Sequence, residues 1–165
     1  SISPKPVQPD LPMWIGGSSE AAIRRTAHFG TGWQAGGETP EDIGAVVNAI
    51  RAAAIAAGRP IDDDHYGAGI AFRFGRPDDP ALDRLFDAYR RRTGREPQKY
   101  FAIGDAEAIV ERIAAYVAGG ISKFILRPAA RGDAELLAQT HRLVEEVLPL
   151  VAARWPRPRR RPAAA

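Results

Sequence analysis

The stretch Trp14-Ile-Gly-Gly-Ser-Ser-Glu-Ala-Ala22 combines the features that a protein uses to hold an anion. Gly16 and Gly17 follow an apolar run and let the main chain approach a ligand closely. Ser18 and Ser19 add hydroxyl donors. A helix starting there presents free N–H groups at the positive end of its dipole, and the matching ligand is a phosphate. The same residues also fit a tight turn with ordinary capping. Trp33 ends a second short apolar run, where an indole either walls a planar ligand or packs in the core. Arg127 follows an apolar run and precedes Pro128, so it emerges at a strand's C-terminal end, toward a ligand or into a structural ion pair.

Other candidates carry less. Asp62-Asp-Asp64 would attract a cation, but three consecutive acids cannot all face one ion, and the run reads as solvated loop. Gly67-Ala-Gly69 lacks the third glycine of a dinucleotide fingerprint and lies inside a strand pattern, where close packing accounts for it. His28 falls late in a helix, a position for capping or packing. The three histidines stand far apart, outside any HxxxH or HExxH frame, so no metal site is expected. The absence of cysteine excludes disulfides and thiol nucleophiles. Spacing yields neither a Ser/His/Asp arrangement nor a carboxylate pair, and no catalytic residue is assigned.

The elements that would position these residues alternate. Pro12–Ile15 reads as a short buried strand, followed by a helix with Ser18 and Ser19 as caps and Gly30 as its stop. Gly32–Ala35 is a second strand. Thr39-Pro40-Glu41-Asp42 supplies an N-cap, a proline for the first turn and acids at the positive end of a helix running to Gly58. A strand at Tyr66–Phe74 precedes a helix from about Asp79 to Arg92, then a loop with Gly94 and Pro97. Asp105 caps a further helix, Ile121–Leu126 is the fourth strand, and the last helix spans about Asp133 to Leu150. Strand–helix alternation means an α/β fold with a parallel sheet, either doubly wound or of the (β/α) TIM-barrel type. Four strands are too few to close a barrel.

With 45% apolar residues in 165, the chain can build a core. No apolar run approaches a membrane span, and the start, Ser-Ile-Ser-Pro-Lys-Pro, is no signal peptide. A cytoplasmic protein with neither membrane nor nucleic-acid partners is expected. The net charge of +3 includes Arg154, Arg157, Arg159, Arg160 and Arg161, and without them it becomes −2. Residues 1–11 read as a linker, 12–150 as the folded domain and 151–165 as a disordered basic tail.

Lys5-Pro-Val-Gln-Pro9, Pro12-Met-Trp-Ile-Gly-Gly-Ser-Ser-Glu-Ala-Ala22 and Gly30-Thr-Gly-Trp33 resemble, in order and spacing, the C-terminal half of the bacterial luciferase-like flavin-dependent monooxygenases. Thr39-Pro-Glu41, Ile103-Gly-Asp-Ala-Glu107, Gly120-Ile-Ser-Lys-Phe-Ile-Leu-Arg127 and Glu145-Glu-Val-Leu-Pro149 fit the same pattern, so the likeness covers roughly residues 4–150. The resemblance implies a (β/α)₈ barrel of which this chain forms strands five to eight, a portion incomplete for catalysis by itself. It implies FMN or the deazaflavin coenzyme F-420 as cofactor and a small organic substrate, with redox chemistry carried by the cofactor. Gly16, Gly17, Ser18 and Ser19 would hold the cofactor phosphate, and Trp33 and Arg127 would lie near its ring system. Open strand edges would be covered by a second copy or by an N-terminal half-barrel. Two alternatives stand beside this: a non-catalytic flavin-binding or dimerising protein on the same scaffold, and a phosphate-binding α/β module unrelated to flavin.

Overall fold

The computed structural model describes residues 3–156. The strands are β1 (Trp14–Gly16), β2 (Gly32–Gln34), β3 (Tyr66–Phe74), β4 (Phe101–Gly104) and β5 (Lys123–Pro128), and hydrogen bonding orders them β1-β2-β3-β4, with β5 also pairing with β3. The pairings β1–β2, β2–β3 and β3–β4 are all parallel. Helices α1 (Glu20–Phe29), α2 (Pro40–Ala56), α3 (Asp83–Thr93), α4 (Ala106–Ala118), α5 (Gly132–Arg142) and α6 (Leu148–Arg154) alternate with them. No described helix is long and apolar enough to cross a membrane.

The chain divides into two compact units, one built from residues up to Ile70 with Ala114–Leu126, the other from Ala71–Ile113 with residues from Arg127 onward. In the first, apolar residues of α2 recur at Ile43, Val47, Ile50 and Ala54, the helical period, and all four are fully buried. Thr39 caps this helix, its Oγ1 accepting from Asp42 N at 3.3 Å. Trp33, Tyr66 and Ile70 complete the core. Carbonyls of successive β3 residues point to opposite edges. Tyr66 O therefore accepts from Ser122 N while Gly67 O accepts from Ala35 N, which places β5 and β2 on different sides of β3. A Cβ on Gly67 would stand 2.5 Å from Gln34 Oε1 and 2.9 Å from the Trp14 ring, so close packing is indeed what requires that glycine.

In the second unit, Leu82, Phe86, Phe101 and Ala129 form a buried cluster. Phe101 meets Phe86 and Tyr89 edge-on, with ring centroids 5.5 and 5.3 Å apart. Strand β4 falls where the sequence reads only as loop. It is four residues long, squeezed between the turn at Pro97–Lys99 and the cap at Asp105, too short for a period to show. The last helix also departs from expectation, passing through a π-helical segment at Leu143–Val147 before continuing as α6 to Arg154 instead of ending at Leu150. Pro149 supplies the reason: it has no N–H for the carbonyl four residues back, its ring crowds that carbonyl, and a wider turn relieves both. Residues 157–165, most of the predicted tail, lie outside the described residues.

Arg73, on β3, ties this unit's loops together. Its Nη1 donates to Glu135 Oε1 at 2.5 Å and to Ala129 O at 2.9 Å, and Nη2 lies 3.7 Å from Asp79. Glu135 Oε2 accepts from Arg131 N at 2.5 Å. That backbone N–H, and then the guanidinium, hold the Glu135 carboxyl below its ordinary value of 4.5. A carboxyl depressed in the fold stabilises it above the unfolded value and loses that contribution as pH falls through the folded one. The urea midpoint is therefore expected to drop between about pH 5 and about pH 3, and Glu135→Gln to flatten that slope. Identical slopes for the two proteins would remove the pair from the account.

Candidate functional site

The candidate site lies in the first unit, where β1 ends in Gly16 and the chain turns into α1. Gly17 takes φ +97°, a conformation that side-chain-bearing residues rarely adopt, and a Cβ there would stand 3.2 Å from Ala22 Cβ. Ser18 and Ser19 are exposed. Ser19 is the N-cap: its Oγ accepts from Ala22 N at 3.2 Å, and its carbonyl accepts from Ile23 N. The first-turn N–H groups of Glu20 and Ala21 precede those bonds and have no carbonyl within the helix to reach. The Ser19 oxygen is already engaged, so toward a ligand this residue offers its O–H only. The Glu20 carboxylate is largely exposed, 3.6 Å from Arg24, and points its charge into water.

Trp33 is brought to the same turn but does not present itself to a ligand. Its side chain is fully buried, and its Nε1 donates to Gly17 O at 2.9 Å. The expectation that its ring walls a planar ligand gives way to a buried indole that grips the turn from below. A strand-end aromatic alternates between these two fates on a single residue of register, which the sequence does not fix. Arg127 belongs to the second unit, exposed on β5 and without an ion-pair partner among the described residues.

Two further participants were not read from the sequence. Thr31 fastens β1 by its side chain, with Oγ1 accepting from Met13 N at 2.7 Å. Glu38 folds back so that its carboxylate accepts from Gly36 N at 2.8 Å and Gly37 N at 3.1 Å, closing the glycine pair after β2. Two of the three acids at 62–64 are occupied with their neighbours. Asp63 pairs with Arg51 at 2.9 Å, and Asp64 bonds His65 Nδ1 at 2.6 Å and lies 3.5 Å from Lys123. Asp62, Asp64 and His65 bring ligand atoms within 4.8 Å of one another. The His65 bond, with Lys123 in support, holds the Asp64 carboxyl below its ordinary value.

What the turn can do chemically is bind an oxyanion. Its donors are main-chain N–H groups and two hydroxyls, at the end of a ten-residue helix. No group in it is placed for proton or nucleophile chemistry.

Comparison with known proteins agrees with this architecture. No curated protein matches the sequence. Among solved structures, the coenzyme F-420-dependent tetrahydromethanopterin reductase from Methanopyrus kandleri superposes with a TM-score of 0.62 at 18% identity, over 85% of this chain and 51% of its own. An F-420-dependent secondary alcohol dehydrogenase, solved with an F-420–acetone adduct, gives 0.66 at 18% over 89% and 50%. The oxygenating constituent of 3,6-diketocamphane monooxygenase from Pseudomonas putida, in complex with FMN, gives 0.58 at 14% over 82% and 47%. The chain thus shares their parallel α/β fold and spans about half the length of the structures it matches. The family model for luciferase-like monooxygenases matches residues 1–100, which include β1, the glycine–serine turn, α1 and β2. By that match over more than half its length, the chain belongs to the luciferase-like monooxygenase family.

Proposed function

We propose that this chain is part of a flavin- or deazaflavin-dependent oxidoreductase or monooxygenase and holds the cofactor's phosphate at Gly16–Ser19. The observation that carries this is the turn itself, with Gly17 at φ +97° and the uncapped first N–H groups of α1, inside the segment that the family model covers. The donor set suits a phosphate, and the lack of a side chain on Gly17 leaves the main chain bare at the turn. The choice between FMN and F-420 follows the matched structures, which are named for one or the other.

When bound, the cofactor supplies the redox chemistry, with oxygen or by hydride exchange with a small organic substrate. The chain's own part is to bind and orient. The N–H groups of Ser18, Glu20 and Ala21 and the two serine hydroxyls would take the phosphate oxygens, and the dipole of α1 would favour the charge. The partner proposed for this half is a second copy or N-terminal βα units completing a barrel.

The test is a titration of the full chain with FMN against riboflavin, and with F-420 against its dephosphorylated form. The phosphorylated member of the preferred pair is expected to bind about a hundredfold tighter or more, the worth of two charge-assisted bonds. Ser19→Ala should remove part of that preference. Equal affinity within both pairs would reduce the turn to a helix cap.

A further inference from the structure

We infer that Trp33 is a positioning residue of the anion turn, acting through the orientation of a single peptide plane. The inference rests on the phosphate reading above and assigns a role to a residue that does not touch the ligand. The peptide joining Gly17 and Ser18 is trans, so its carbonyl and N–H point in opposite directions. Trp33 Nε1 donates to the Gly17 carbonyl at 2.9 Å from a fully buried ring. The carbonyl is therefore drawn inward, and the Ser18 N–H in the same plane is turned outward, on an exposed residue where it bonds no other described residue.

The alternative state of such a turn is a flip of that plane. Turns that differ only by a flipped central peptide are neighbouring types, and a glycine at the hinge lowers the barrier between them. A flip would aim the Gly17 oxygen, instead of the Ser18 N–H, at the incoming anion, replacing a donor with a repulsive dipole. The indole bond is what holds the productive orientation. The sequence separation of 16 residues means that β2, through its parallel pairing with β1, delivers this bond to the turn.

The experiment separates the indole's N–H from its bulk. Site-specific replacement of Trp33 by 3-benzothienylalanine, where sulfur stands in place of N–H, keeps the shape and removes the donor; Trp33→Phe is the genetically encoded companion. FMN and riboflavin are titrated into the full chain and both variants, with the deazaflavin pair in parallel. The isostere is expected to weaken the phosphorylated ligand about fivefold, one hydrogen bond's worth, and to leave the dephosphorylated one unchanged. In the parent, the Ser18 amide resonance should shift on adding FMN and not on adding riboflavin, and the shift should shrink in the isostere. If the parent prefers FMN while the isostere keeps the same preference, Trp33 is only a core residue and the inference fails. If the parent itself shows no preference within either pair, the phosphate reading fails first, and this inference goes with it.

Discussion

Gly17→Val is expected to weaken FMN binding by about a hundredfold or more while leaving riboflavin affinity near the parent's. The substitution meets two obstacles at once. The backbone sits at φ +97°, where a β-branched residue is strained by roughly 1–3 kcal/mol. Its Cβ would also stand 3.2 Å from Ala22 Cβ, so the turn must move away from the first turn of α1. Moving it displaces the Ser18 N–H and the Ser19 hydroxyl together. Two charge-assisted bonds at roughly 1.5–3 kcal/mol each give the hundredfold. The strain alone is smaller than the roughly 5–15 kcal/mol that holds an ordinary domain, so the variant should remain folded. Fluorescence titration with both ligands, beside a urea transition, separates affinity from stability. A folded variant that binds FMN as the parent does would exclude the turn from the site.

Much of the frame was legible because it rests on local chemistry. Ser19 and Thr39 cap the helices that follow them, Gly30 closes α1, and β3 occupies the stretch its apolar residues mark. These features depend on residues within a few positions of each other, where spacing carries information. The site was legible to the same depth and no further. The glycine–serine turn could be read, but the partner of Trp33 lies 16 residues away across a strand pairing, and burial decides which of its two readings holds. Arg73 and Glu135, 62 residues apart, carry no mark of each other in the sequence, since arginines and glutamates are common on every exposed face.

Gln139 shows the limit most clearly, and it carries the largest stability effect expected here. It lies in α5, where an amide reads as a solvent-facing residue, yet it is only 8% exposed. Its Oε1 accepts from Phe74 N at 2.7 Å and its Nε2 donates to Phe74 O at 3.1 Å, so one side chain finishes the end of β3 as a neighbouring strand would. Phe74 is buried, and no water replaces that amide at little cost. Gln139→Leu keeps the volume and orphans both main-chain groups, at about 1–3 kcal/mol apiece, so unfolding free energy should fall by roughly 2–6 kcal/mol. Gln139→Glu tests the geometry by its charge. An ionised carboxylate still accepts from Phe74 N but sets a second oxygen against Phe74 O, whereas the protonated acid donates to it. Its folded pKa is thus raised, and the sign runs opposite to Glu135: the variant should gain stability relative to the parent as pH falls from about 7 to about 4. Urea midpoints across that range decide it, and a Gln139→Glu protein that shows no such gain, or a Gln139→Leu protein as stable as the parent, would mean that the amide does not complete the strand.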